Sequence, residues 1–293
     1  MFNRGLHLQV GLERSQVKSV RGIGVEPWDN VRGRDGMSST GITSPRLPLE
    51  PKGADFPYYA DNPPTISNAG WLVVLAGTVA GFAALVTPLP FEDGILSGWL
   101  RTAAFVGLPL LALTMAAPGR WGAIFRRVGR RDVMLMFGFA ILNFIVSMSV
   151  GALLQTFGTV TTNAGVAGAA DLEGARLASY FAKVGLQLLG EELITILPFL
   201  ALLWYLHARV GLSRNAAVLA GWLLSAIAFG LLHLPTYDWN VVQCLVVIGS
   251  ARLVLTWAYV STKNIWVSTG AHIINDWALI GMTVFVAPLA AAA

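Results

Sequence analysis

Two adjacent acids, Glu191 and Glu192, lie inside one of the longest apolar stretches of the sequence. A charged side chain at the centre of a membrane costs about 3 kcal/mol or more, so acids in such a place are candidates for function. Later apolar stretches carry His233 and His272, and Asp276 follows His272 by four residues. Carboxylates and imidazoles together are the groups that activate water for hydrolysis. We therefore predict that these side chains meet in one hydrolytic site.

Each histidine also has a purely structural interpretation. Because His272 and Asp276 stand four residues apart, they share one face of a helix and can form a local pair that neutralises both. Pro235 follows His233 by two residues, so His233 can equally be an interfacial side chain at the point where a helix is broken. The case for chemistry therefore rests on the whole constellation and not on any one of these residues.

The two acids cannot play the same part. Successive residues are about 100° apart around a helix, so only one of Glu191 and Glu192 should face the site. The other should orient a neighbouring group or pair with a cation. Lys183 and Arg252 are cations within apolar stretches, and charge compensation is the simplest role for them.

The composition places the chain in a membrane. Hydrophobic residues make up 55% of the sequence and charged residues only 12%, and the mean hydropathy is +0.63. A soluble domain has roughly 25% charged residues. The single cysteine, Cys244, excludes an intramolecular disulfide and a cysteine-cluster metal site. The net charge of +4 resides in loops and the N-terminal region, which favours membrane orientation over nucleic-acid binding.

Seven apolar segments are long enough, at about 20 residues or more, to cross a bilayer as helices. They cover residues 70–90, 96–117, 133–154, 177–206, 214–233, 240–260 and 265–289. The predicted fold is therefore all-α, a polytopic bundle of about seven transmembrane helices that forms one domain over residues 69–293.

Positive charges are concentrated in alternate loops. They are Arg120, Arg126, Arg127, Arg130 and Arg131 after the second span, Arg209 and Arg214 after the fourth, and Lys263 after the sixth. The loops between them carry acids instead. The positive-inside rule then places the N-terminus in the cytoplasm and the C-terminus outside. We expect a multi-pass protein of a bacterial or archaeal cell membrane.

Residues 1–68 differ from the rest of the chain. They are rich in Gly, Pro, Ser, Arg and Asp and contain no sustained apolar periodicity. Such a segment offers too little apolar surface to offset the entropy of ordering the chain. The composition therefore predicts a disordered N-terminal tail.

Three short motifs lie in order on separate predicted spans. They are Glu191-Glu192, Phe229-x-x-x-His233 and His272-x-x-x-Asp276. Together they resemble the signatures of the CPBP intramembrane proteases. This family groups type II CAAX prenyl endopeptidases with bacteriocin-processing and immunity-associated proteins. The resemblance extends over residues 133–285, and each motif would be weak evidence on its own.

The resemblance implies a set of roles. Glu191 would activate the attacking water, with His233 beside it. His272 and Asp276 would stabilise the oxyanion or bind a metal. The family's conventional description as metalloproteases points to zinc, with His233, His272 and Asp276 as its ligands, although the same residues can work without a metal. Glu192, as the second acid of the motif, is included among the catalytic residues.

One position departs from the family pattern. The first motif usually continues to an arginine five residues after its first glutamate, and here that position is Ile196. The missing cation makes a catalytically silent membrane scaffold one alternative function. A proton-coupled transporter is another, because buried acids and histidines also relay protons.

The leading interpretation is an intramembrane endopeptidase that acts on a membrane-associated protein or peptide. Its expected partners are the lipid bilayer and that substrate, and nucleic acid is not among them. The sequence leaves the identity of the substrate and the oligomeric state open.

Overall fold

The computed structural model of this chain describes residues 46–47, 50, 54–61, 65–88, 94–158 and 160–286. These residues form helices and connecting segments, with no strand among them, so the predicted all-α class is confirmed. The long helices are α1 (Asn68–Val86), α2 (Ile95–Ala116), α3 (Arg130–Phe157), α4 (Gly174–Ala208), α5 (Arg214–Leu232), α6 (Val241–Thr262) and α7 (Ile265–Gly281).

Every predicted span corresponds to one of these helices. By length and composition, α1 to α6 are able to cross a membrane. The seventh, α7, has 17 residues and continues into a π-helical turn, Met282–Val286. The protein is therefore a multi-pass integral membrane protein, as its composition predicted.

The central helix of the bundle is α4. Within its most apolar window, 67% of the residues are buried inside the protein, against 17% for α3. It packs against α1, α2, α5 and α7. Because α4 carries the paired acids, these acids lie in protein surroundings and not against lipid.

Small residues allow the helices around the site to approach closely. A Cβ atom added to Gly190 would lie 2.4 Å from Cδ1 of Phe105, so the ring on α2 occupies the space beside the two acids. A Cβ atom on Gly77 would lie 2.3 Å from that of Ala112, which joins α1 to α2 in the same way. Close backbone approach of this kind is the usual basis of helix packing in membranes.

Gly190→Ala should therefore destabilise the bundle, by about 1–3 kcal/mol, because the new methyl group overlaps the Phe105 ring. We expect a lower Tm in thermal unfolding of the purified protein. Gly151→Ala in α3 is the matched control, since nothing lies within 4 Å of its added Cβ. In the double variant Gly190→Ala/Phe105→Leu, the two substitutions should cost less together than the sum of their separate effects, because the second removes the ring that the new methyl group overlaps. Equal Tm values for Gly190→Ala and Gly151→Ala would contradict the close contact.

The end of the predicted tail packs against the helices. Residues 1–45 lie outside the described residues, so the expectation of disorder there remains a prediction. Farther along, Phe56, Tyr58, Tyr59 and Ile66 are buried. The hydroxyl of Tyr58 donates a hydrogen bond to the carbonyl of Arg120, at 2.8 Å. Within residues 54–61 and 65–68 the structure thus departs from the prediction of a disordered tail.

Four charged side chains anchor this segment. Arg214 Nη2 lies 2.6 Å from Glu50 Oε2 and 2.7 Å from Asp55 Oδ1. Lys263 Nζ lies 2.7 Å from the same oxygen of Glu50 and 3.5 Å from the centre of the Phe56 ring. The side chains of Glu50 and Lys263 are both fully buried. This cluster joins the segment before α1 to the ends of α5 and α6.

The cluster shifts the pKa values of its members. Burial alone would raise the pKa of Glu50, but hydrogen bonds from Arg214 and Lys263 hold that pKa below its ordinary value of 4.5. Burial also opposes ionisation of Asp55, yet hydrogen bonds from Arg214 and Tyr59 lower its pKa from 3.8. Burial lowers the pKa of Lys263 to about 8, although its bond to Glu50 opposes this change.

The lowered pKa values of Glu50 and Asp55 predict that the folded protein becomes less stable in acid. A carboxyl group with a lowered pKa stabilises the folded protein above its unfolded pKa, and this contribution is lost as the pH falls through the folded value. Stability should therefore decline as the pH falls below 4.5, the ordinary pKa of Glu50. Glu50→Gln should lower Tm at neutral pH and show a smaller further loss in acid. Glu173→Gln, at an exposed acid, is the control, and an unchanged acid dependence in Glu50→Gln would contradict the assignment.

Candidate active site

A fully buried ion pair lies at the centre of the site. Glu192 on α4 and Arg252 on α6 are both completely inaccessible to solvent. Arg252 Nη1 lies 2.7 Å from Glu192 Oε1, and Nη2 donates a hydrogen bond to Oε2 at 2.9 Å. The guanidinium also lies over the ring of Phe229, 5.0 Å from its centre. Arg252 is thus the cation that compensates Glu192, one of the two roles predicted for the second acid.

Glu192 also orients His272 on α7. The His272 Nδ1–H group donates a hydrogen bond to Glu192 Oε1, at 2.9 Å. The other ring nitrogen, Nε2, then points toward two further carboxylates, 3.9 Å from Glu191 Oε2 and 3.8 Å from Asp276 Oδ2. Fixing one nitrogen of an imidazole with a carboxylate sets both the ring orientation and the tautomer.

The two adjacent acids lie in different surroundings, as the angle between them on a helix predicted. The side chain of Glu192 is fully buried, whereas that of Glu191 is 13% exposed. Glu191 Oε1 accepts a hydrogen bond from Gln187 Nε2, at 3.1 Å. Of the two, Glu191 is therefore the acid with access to an incoming molecule.

Asp276 forms the outer edge of this group. Its Oδ1 accepts a hydrogen bond from Asn275 Nδ2 at 2.9 Å, and its side chain is 32% exposed. The predicted local pairing with His272 is present at 3.8 Å, wider than a direct hydrogen bond. Asp276 therefore lies near His272 but forms no direct hydrogen bond with its Nε2.

His233 lies at the end of α5. It is the C-cap of this helix, and Leu234–Tyr237 continues as a 3₁₀ turn that contains Pro235, so the predicted break in the helix is present. Its Nδ1–H donates a hydrogen bond to the carbonyl of Phe229, at 2.9 Å, which leaves Nε2 available. Its ring centre lies 4.5 Å from that of Phe229 and 6.4 Å from that of Tyr237. His233 is also close enough to Asp276 to interact with it electrostatically.

Sequence reasoning did not assign a role to Gln187 or Asn275. Gln187 stands four residues before Glu191 on α4, and this spacing is a usable sequence signal for a helical hydrogen bond. Tyr237 was also missed, although its ring centre lies 6.4 Å from that of His233. Nothing in the local sequence around Tyr237 indicates that proximity.

The predicted zinc ligands do not form an evident metal site. Within the part of the chain that the structure describes, no group of three or more His, Cys, Asp or Glu side chains is arranged to hold a metal ion. His272 has only Nε2 to offer, because Nδ1 is bonded to Glu192. The zinc site of His233, His272 and Asp276 stays a prediction that metal analysis of the purified protein can test.

Comparison with known proteins bears on the segment that carries the site. Residues 174–278 match the family model described as type II CAAX prenyl endopeptidase Rce1-like. This segment begins at the first residue of α4 and ends within α7, so it includes all the predicted site residues. Searches of curated proteins and of solved structures returned no match. Over residues 174–278 the chain is therefore similar to the Rce1-like family, and this match supports the CPBP membership that its motifs predicted.

Proposed function

We propose that this protein is an intramembrane endopeptidase that hydrolyses a peptide bond of a membrane-associated protein or peptide. The observation that carries the proposal is the arrangement around His272. One ring nitrogen is fixed by a buried ion pair, and the other is directed between Glu191 and Asp276. The family match supports protease chemistry at the level of the family.

Glu191 is the proposed general base. A water molecule can hydrogen-bond to Glu191 Oε2 and His272 Nε2 together, because these atoms are 3.9 Å apart and each hydrogen bond spans about 2.8 Å. Glu191 takes a proton from this water while the water oxygen attacks the carbonyl carbon of the substrate. The same carboxyl group then gives the proton to the departing amine, so the reaction consumes one water molecule and leaves the enzyme unchanged.

His272 is the proposed stabiliser of the oxyanion. In its protonated form it donates from both ring nitrogens, from Nδ1 to Glu192 and from Nε2 to the developing negative charge. The Glu192–Arg252 pair makes this donor rigid, and a fixed donor needs no reorganisation during the reaction. Asp276 supports the protonated imidazole through its charge, and His233 offers Nε2 to the water or the departing amine.

The buried ion pair weakens the case for a silent scaffold. That alternative depended on Ile196, which replaces an arginine that would pair with an acid. Ile196 is fully buried, and Arg252 supplies a cation to Glu192 from another helix. Glu192 therefore has a cationic partner although position 196 is not an arginine.

The arrangement of charges also favours an orientation. The arginines after α2 and α4, with Lys263 after α6, support a cytoplasmic N-terminus by the positive-inside rule.

The name of the matched family refers to CAAX prenyl endopeptidases, and a CAAX-type membrane protein is accordingly the first substrate class to test.

Cleavage of a membrane-anchored reporter peptide tests the proposal. We expect the protein in proteoliposomes to produce two new peptide termini, which mass spectrometry can locate. His272→Ala should abolish this product without altering insertion, because it removes the oxyanion donor. Proton flux without cleavage would instead favour the transporter, and neither activity would favour the scaffold.

A further inference from the structure

A groove of about 630 Å³ lies between the first half of α1 and the second half of α4. Its wall on α1 extends from Asn68 to Leu75, and its wall on α4 extends from Pro198 to Arg209. This volume lies in the usual range for a small-molecule site, which is about 300–1,000 Å³. The mechanism above uses none of the residues that line the groove.

The two ends of the groove differ in polarity. At one end, the Nη2–H group of Arg209 donates a hydrogen bond to Oδ1 of Asn68, at 2.6 Å. The side chains along the rest of the groove are mainly apolar and continue to Leu75 on α1 and Pro198 on α4. At 1.5 Å per residue, these two residues lie roughly 10 to 16 Å from the polar end. The groove therefore has a polar mouth and an apolar part that follows the helix axes.

Aromatic side chains indicate the depth of the polar mouth in the membrane. Trp71 and Trp204 line the groove, and their ring centres are 6.1 Å apart. Tyr205 lines it as well and is exposed. Trp and Tyr side chains are enriched where a membrane meets water. The mouth therefore lies at the level of the lipid headgroups, and the apolar part lies at the level of the acyl chains.

The mouth carries one positive charge. Within the described ranges of the chain, Arg209 is exposed and forms no ion pair. Its guanidinium lies over the ring of Trp204, 5.3 Å from the ring centre, so this contact and the hydrogen bond to Asn68 hold it at the mouth. A guanidinium has five N–H donors, and the bond to Asn68 leaves others for a ligand. Paired donors of this kind match the geometry of a phosphate.

We infer that this groove binds an anionic phospholipid, with one acyl chain between α1 and α4 and the phosphate at Arg209. The charge at the mouth and the apolar part behind it match the two parts of such a lipid. An acyl chain leaves surroundings that are as apolar as the groove, so its contacts supply little preference between lipids. The headgroup charge should therefore decide which lipid binds. This inference does not depend on the proposed protease function.

Lipid binding to the purified full-length protein in detergent tests the inference. Native mass spectrometry gives Kd values for dioleoylphosphatidylglycerol, which is anionic, and for dioleoylphosphatidylcholine, which has the same acyl chains and no net charge. We expect the wild type to bind phosphatidylglycerol about tenfold more tightly, a factor typical of a hydrogen bond to a charged group. Arg209→Gln should remove this preference and leave the Kd of phosphatidylcholine unchanged.

Three further variants locate the lipid. Arg131→Gln removes an exposed arginine at the start of α3, which does not line the groove, and should keep the preference. Leu72→Trp should weaken the binding of both lipids, because the larger side chain covers the groove. Leu72 is 68% exposed, so this change should leave the core undisturbed. Leu96→Trp, at an equally exposed position on α2, is its control and should bind both lipids as the wild type does.

Equal Kd values for the two lipids in the wild type, or a preference that survives in Arg209→Gln, would overturn the inference. An equal loss of preference in Arg131→Gln would also overturn it, because the attraction would then come from the positive charge of the whole surface. Unchanged lipid binding in Leu72→Trp would place the lipid elsewhere. If that variant instead changed the number of chains per particle, the groove would hold a second copy of this chain.

Discussion

Glu191→Gln is expected to lower turnover of a membrane-anchored peptide by about 10²- to 10⁴-fold, the usual contribution of a general base. The amide has nearly the same size as the carboxylate, so the packing of α4 should be unchanged. It can still accept the hydrogen bond from Gln187, but it cannot take a proton from water. The measurement is kcat in proteoliposomes, with Tm as the test of folding.

Two comparisons make this result specific to the base. Asp276→Asn should be milder, because an amide still fills the position beside His272 and can donate to an oxyanion. Glu173→Gln, at the exposed start of α4, should retain wild-type turnover. A Glu191→Gln protein with full activity would end the proposed mechanism, and one with a much lower Tm would show that the residue is needed for folding.

Arg252→Met should destabilise the protein by about 3–5 kcal/mol, because it leaves the carboxylate of Glu192 buried without its cation. This is the largest stability effect that we expect from a single substitution in the site. Thermal or denaturant unfolding of the purified protein measures it. A Tm close to that of the wild type would contradict the buried pair.

The double variant Glu192→Leu/Arg252→Met separates stability from positioning. Replacing a buried ion pair by apolar residues of similar size is often neutral or stabilising, so much of the lost stability should return. Turnover should stay low, because His272 Nδ1 loses its acceptor and the ring is no longer held in place. Recovery of both properties would mean that Glu192 does not orient His272.

The helices could be predicted from the sequence, and the candidate site residues proposed from it, for a simple reason. Long apolar runs show the spans directly, and a membrane leaves few explanations for acids and histidines within them. The side chains that contact each acid could not be predicted in the same way. Glu192 meets Arg252 and His272 across 60 and 80 residues of chain, and these contacts depend on how three helices pack.

The segment before α1 illustrates a different difficulty. Its composition resembles that of a disordered chain, and its charges appear solvated when the segment is considered alone. In the structure Glu50 and Asp55 are neutralised by Arg214 and Lys263, which lie far along the sequence. Phe56 packs beneath these cations. The composition of a segment cannot reveal that its charges are neutralised by residues that lie far along the sequence.

Isotope labelling of the cleavage product tests the central claim most directly. When the reporter is cleaved in water enriched in ¹⁸O, we expect the new carboxyl terminus from the wild-type reaction to carry ¹⁸O. The Glu191→Gln protein, folded and inserted, should give almost none of this product in the same time. An unlabelled product, or labelled product formed by Glu191→Gln at the wild-type rate, would contradict hydrolysis by water that Glu191 activates.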